Sequence, residues 1–93
     1  MTRLNQLEET IQILNNIVVN ELPGFVVAEQ LKQGFEYAKE IEQGIVSDIG
    51  LLQNLCNFGL PYRDIETLDN EAIESIYNSF EEMKKLLQER SGK

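Results

Sequence analysis

Apolar residues recur at alternating steps of three and four along the first fifth of the chain. The positions that share this spacing are Leu4, Leu7, Ile11, Leu14 and Val18. Such spacing puts side chains on one face of an α-helix, so we predict a first helix over residues 2–20. Ile13 and Ile17 lie beside this face and widen it. A wide apolar face is typical of a helix that contacts two neighbours in a bundle.

The same spacing returns near the end of the chain, at Ile73, Ile76, Phe80, Met83 and Leu87. We predict a last helix from Asp69 or Asn70 to Glu89. Asp69 suits the N-cap position, because its carboxylate can accept hydrogen bonds from the free amides of the first turn. Residues 1–90 then form a single helical domain, and residues 91–93 are expected to fray.

Residues 25–57 carry a long apolar face, formed by Leu31, Phe35, Ala38, Ile41, Ile45, Ile49, Leu52 and Cys56. One unbroken helix here would be about 50 Å long, against about 30 Å for each neighbour. A break between Gly44 and Asp48 is favoured over a straight rod, because globular helices are seldom so long. Gly44 would then follow the end of one helix, and Ser47 would be the N-cap of the next.

Proline and glycine mark the boundaries between these segments. Pro23 and Gly24 end the first helix, and Gly59 and Pro61 end the middle segment. The expected fold is therefore all-α: an antiparallel helical bundle of three main helices, or of four helices if the middle segment is broken.

Three large apolar side chains, Phe58, Leu60 and Tyr62, fall in the connection after the middle segment. One interpretation is a loop that folds over the end of the bundle and covers its core, because apolar groups usually become buried. The other is an exposed surface that binds a partner. The sequence leaves both interpretations open.

Composition restricts the chemistry that this chain can perform. It has no histidine and one cysteine, Cys56, so the usual general base and the usual transition-metal ligands are missing. Its glycines do not form a phosphate-binding loop. We therefore expect no enzyme activity, no cofactor and no metal. Cys56 lies in an apolar run and is expected to behave as a small buried side chain.

The net charge of −8 further limits the partners. Phosphate contacts need clustered basic residues, so direct binding to nucleic acid or to an anionic membrane is not expected. The chain starts with a polar, helix-forming segment and has no apolar run of transmembrane length. A cytoplasmic location is the expectation that follows.

The leading hypothesis is a protein-interaction module: an adaptor, a scaffold or an inhibitor that also associates with itself, because the apolar faces exceed what one short core needs. The candidate partner-binding residues are Phe58, Leu60, Tyr62, and whichever of Ile13, Ile17 and Val46 lie outside the core. The alternative is an acidic mimic of nucleic acid, a kind of inhibitor often made by phages and other mobile elements. Its candidate patch is Asp64, Glu66, Asp69, Glu71 and Glu74.

Overall fold

A computed structural model describes residues 2–91, and every regular element in this range is helical. The elements are α1 (Arg3–Asn16), a π-helical turn (Ile17–Glu21), α2 (Val26–Glu42), α3 (Gly50–Phe58), α4 (Tyr62–Ile65) and α5 (Asn70–Ser91). The prediction of an all-α chain is confirmed. Ser91 is the last residue of α5, whereas residues 92 and 93, for which fraying was also expected, lie outside the described residues.

Helix α1 packs against both α2 and α5, and the main core lies among these three helices. Their shared core is formed by Leu7 and Leu14 of α1, Phe35, Ala38 and Ile41 of α2, and Ile76, Met83 and Leu86 of α5. Ile17, in the π-helical turn, is buried with them. The three-and-four spacing thus predicted the buried faces, because it matches the period of the helix.

Arg3, in the first turn of α1, connects that helix to the final turns of its two neighbours. Its guanidinium contacts Glu42 of α2 at 3.0 Å, and Glu82 and Glu89 of α5 at 3.2 Å and 2.6 Å. A cation at the carboxyl ends of two helices is also favoured by their dipoles. The hydrogen bond from Arg3 holds the pKa of Glu89 below its usual range.

A second polar connection lies deeper between α1 and α5, where Gln6 and Thr10 face Ser75 and Ser79. The Thr10 hydroxyl lies 2.6 Å from each serine hydroxyl, and the Gln6 amide donates to Thr10 and Ser79 at 3.2 Å. Every buried side-chain polar atom in the described chain has a hydrogen-bond partner. A buried cluster in which every polar group is hydrogen-bonded fixes the register of two helices. A shift of one helix along the other would leave buried polar groups without hydrogen-bond partners.

The middle segment is broken, as the helix-length argument favoured, and Gly44 takes the position predicted for it. Helix α2 ends at Glu42, and Gly44 has a φ of +80°. The Gly44 and Ile45 amides donate to the carbonyls of Ile41 and Glu40, the Schellman pattern that closes a helix end. Ser47 is not the next N-cap: α3 begins only at Gly50, whose amide is bound by the Asp48 carboxylate instead.

Two local features differ from the sequence-based expectation. The first helix widens into a π-helical turn, in which the Leu22 amide donates to the carbonyl of Ile17 at 2.6 Å. Pro23 explains this end, because the residue before a proline is driven out of the α region. The one-turn helix α4 was not predicted. It begins directly after Pro61 and is anchored by the buried side chain of Ile65.

Replacing Thr10 with valine is expected to lower the free energy of unfolding by about 1–3 kcal/mol, because the two serine hydroxyls would lose a buried partner. Urea denaturation measures this loss. Replacing Ser75 and Ser79 with alanine in the same chain is expected to recover most of it, because the hydroxyl groups are then all removed and the Gln6 amide keeps its bond to the Ser75 carbonyl. A triple variant that is no more stable than the single variant would contradict this account of the cluster.

The Arg3–Glu89 pair is expected to make stability depend on pH on the acid side. The lowered pKa of Glu89 means that its contribution is fully present above the ordinary glutamate value of about 4.3. It is lost as the pH falls through the lower pKa of the folded state. Urea unfolding between pH 7 and pH 2 should therefore show a steeper acid loss for the native chain than for Arg3→Met. Equal acid slopes for the two chains would show that the pair makes no such contribution.

Candidate docking groove

Helices α2, α3 and α5 enclose an open groove of about 590 Å³. Its base is formed by buried side chains and its sides by partly exposed ones, and none of the described residues that line it carries a charge. We refer to it as the apolar groove. Its principal apolar residues are Leu31, Phe35, Leu51, Leu55, Phe58, Leu60, Phe80 and Met83.

The groove exists because α3 is short and meets α2 at one close contact. A Cβ atom on Gly34 would lie 3.0 Å from Cδ1 of Leu55, so the backbone of α2 approaches the α3 side chain tightly at this position. Helix α3 has only nine residues. It therefore covers one part of the apolar face of α2 and leaves the rest as one side of the groove.

Gly59 decides how the two side chains on either side of it are placed. Its φ of 76° and ψ of −177° belong to a region that is essentially restricted to glycine. The chain turns sharply there, so Leu60 is buried at 8% exposure, whereas Phe58 is 88% exposed at the rim of the groove. Leu60 therefore covers the core, as one interpretation expected, whereas Phe58 projects from the surface; partner binding by Phe58 stays a prediction.

Tyr62, predicted to lie in a loop, is instead the first residue of α4; it is 60% exposed and packs against Tyr77 of α5, with ring centroids 5.7 Å apart. It does not line the groove. Lys84 lies 5.5 Å from the ring centroid of Phe80 and is paired with Glu81 at 2.9 Å. The charge of Lys84 beside Phe80 is therefore compensated by Glu81.

Cys56 is partly buried beside the core, and burial raises the pKa of its thiol. A raised pKa keeps the thiol protonated at neutral pH and lowers its reactivity. This environment agrees with its interpretation as a small apolar side chain.

The remaining candidates for partner binding lie away from the groove. Ile17 is buried, and Ile13 and Val46 are partly buried against the core. Ile17 and Leu60 therefore offer little side-chain surface to a partner, because their side chains are already covered by the chain itself. Of the six candidates, the groove brings together only Phe58 and Leu60.

The five acidic candidates are all exposed, but the structure gathers only two of them at one hollow. Asp69 and Glu71 line a hollow of about 370 Å³ together with Glu9 and Glu21. Asp69 also caps α5, as predicted, by accepting the Ala72 amide at 2.9 Å. Asp64, Glu66 and Glu74 do not line this hollow.

Sequence reasoning missed Leu51, which is 47% exposed and lines the groove. It also missed the two glutamines of the groove, Gln30 and Gln33. One signal could have located this surface. Residues 49–62 contain no charged side chain, in a chain of which 26% is charged.

Comparison with models of known protein families, with curated proteins and with solved structures finds no match for this chain. Within residues 2–91, no cluster of three or more His, Cys, Asp or Glu side chains is arranged to hold a metal ion. No helix in that range combines the length and the apolar character needed to cross a membrane.

Alanine substitutions at Phe58 and Leu60 should have very different effects on stability, although the two residues lie only two positions apart. Leu60→Ala is expected to lower the free energy of unfolding by about 2–5 kcal/mol, because it opens a cavity in the base of the groove. Phe58→Ala is expected to change it by less than about 0.5 kcal/mol, because the ring makes little intrachain contact. Urea unfolding at low protein concentration measures both. A large loss for Phe58→Ala would show that its ring is covered in solution.

Proposed function

We propose that this chain is a non-catalytic protein-interaction module, built as an antiparallel bundle of α1, α2 and α5, and that the apolar groove is its docking surface. The observation that carries the proposal is Phe58, which is 88% exposed beside an uncharged groove in a protein of net charge −8. Adaptor, scaffold and inhibitor are the roles that such a surface supports.

Physical reasoning supports docking at this position. Burial of apolar area contributes about 25 cal/mol of stabilising free energy per Å², and apolar area that stays in water makes no such contribution. Interface centres are typically depleted in charge and enriched in aromatic side chains, and a few aromatic residues often dominate binding. Phe58, Leu51 and the base of the groove together have this composition.

A partner that fits this groove is itself apolar at the contact, such as the face of an amphipathic helix or an aromatic side chain on a second protein. The glutamines at the groove, Gln30 and Gln33, can supply hydrogen bonds at the edge of such a contact. We propose further that binding takes place in the cytoplasm and involves neither a membrane nor nucleic acid.

A second candidate function is an acidic mimic that occupies the binding surface of a basic protein. It is favoured by the hollow that Glu9, Glu21, Asp69 and Glu71 line, which shares no lining residue with the apolar groove. Binding of that kind would weaken steeply with salt, because it depends on charge pairing between exposed groups. Binding in the apolar groove would not weaken steeply with salt, because none of the described residues that line it is charged.

The test is capture of partners from the source cell by the native chain, by Phe58→Ser and by Ile45→Ser, each followed by measurement of the mass of the complex. Ile45 is a matched control, because it is 68% exposed but does not line the groove. We expect a partner that is retained by the native chain and by Ile45→Ser and is lost from Phe58→Ser.

Repeating the capture at about 50 mM and about 500 mM salt separates the two candidate functions. Retention at high salt that depends on Phe58 supports the groove. A partner that is lost at high salt and is indifferent to Phe58 supports the acidic mimic. Identical capture by all three chains under both conditions would refute docking in the groove.

A further inference from the structure

The apolar groove and the side chain best suited to fill it belong to the same surface. Phe58 projects from the rim, and the hollow beside it is lined by Leu31, Leu51 and Leu55 over a base of buried aromatic rings. An exposed ring next to a hollow of about 590 Å³ makes the surface complementary to a copy of itself. Self-complementarity of one patch is the requirement for a two-fold symmetric dimer.

Charge also favours a second copy over a basic partner at this position. Two molecules of net charge −8 repel each other, so they can approach closely only through a surface without charge. Residues 49–62 and the lining of the groove provide such a surface. A basic protein would instead be attracted to the acidic surfaces elsewhere on the chain, where its charges find partners.

We propose that the partner in the groove is a second copy of this chain, with Phe58 of each copy inserted into the groove of the other. This inference rests on the proposed docking function of the groove. It specifies a closed dimer, because the inserted ring and the groove that receives it lie on one patch. A ring and a groove on separate patches would instead build an open chain of molecules.

The apolar area at the groove suits a weak contact whose population depends on concentration. Aromatic side chains bury about 150–250 Å² each, so Phe58 from two copies would contribute about 350 Å² at its observed exposure. The sides of both grooves and Leu51 supply more apolar area. Specific, stable interfaces bury about 1,200–2,000 Å² in total and weak, transient ones bury less, so the dimer belongs with the weak, concentration-dependent contacts.

The first experiment measures the mass of the chain in solution across a range of concentrations, for example by sedimentation equilibrium. The native chain and Ile45→Ser are expected to form dimers with the same dissociation constant. Phe58→Ser is expected to raise that constant at least about thirtyfold, because central aromatic residues dominate such contacts. Raising the salt from about 50 mM to about 500 mM should strengthen the dimer or leave it unchanged, because salt screens the repulsion between the acidic copies.

The second experiment is complementation between two variants that are each defective. Leu51→Glu places a charge in the groove but keeps Phe58, and a carboxylate in the first turn of α3 is compatible with the helix dipole. Phe58→Ser removes the ring but keeps the groove. Neither variant should dimerise alone. Their mixture should form a heterodimer, because the Phe58 of one chain can enter the intact groove of the other.

A mixture that stays monomeric, or filaments in place of dimers, would overturn the inserted-ring arrangement. So would a native chain that remains monomeric at high concentration. If that monomer still retains a different protein through Phe58, the groove keeps its docking function and only the identity of its partner changes. If neither association depends on Phe58, the inference and the proposed function both fail.

Discussion

The packing of α1 against both α2 and α5 is the interaction on which the rest of the structure depends. Leu7 and Leu14 are fully buried by it, and they bury the main apolar faces of the two other long helices in return. A chain of this length has few apolar residues to spare, so its stability depends on this one core. The ion pairs of Arg3 and the hydroxyl cluster around Thr10 then determine how the helices are aligned, because charged and polar groups tolerate much less displacement than apolar ones.

The groove is a consequence of the same arrangement. Because α1 occupies one side of α2 and α5, another side is left to the short helix α3, which is held close to α2 at Gly34. Nine residues of helix extend about 14 Å, which is too little to cover a face that runs along two long helices. What α3 leaves uncovered is apolar, and a surface of that kind is stabilised when another polypeptide covers it.

Local chemistry made much of the fold predictable. The three-and-four spacing located α1, α2 and α5, Asp69 was correctly identified as the cap of α5, and Gly44 as the end of α2, because these features depend on neighbours within one turn. Ser47 was misassigned as a cap because α3 begins later, at Gly50, and the Asp48 carboxylate accepts the hydrogen bond of the Gly50 amide. Helix α4 was missed because its single turn is stabilised by burial of Ile65 against the bundle, which no local pattern reveals.

The candidate site, like the fold, could be predicted from the sequence only in part. The sequence by itself determined that Phe58, Leu60 and Tyr62 lie close together after the middle apolar segment, that residues 49–62 carry no charge and that the chain as a whole is strongly acidic. Only the tertiary structure decided that Leu60 is buried, that Phe58 is exposed and that Leu51 and the α2 glutamines join it at one groove. The physical reason is that composition and helical period are properties of neighbouring residues, whereas exposure depends on which distant helix happens to cover a side chain.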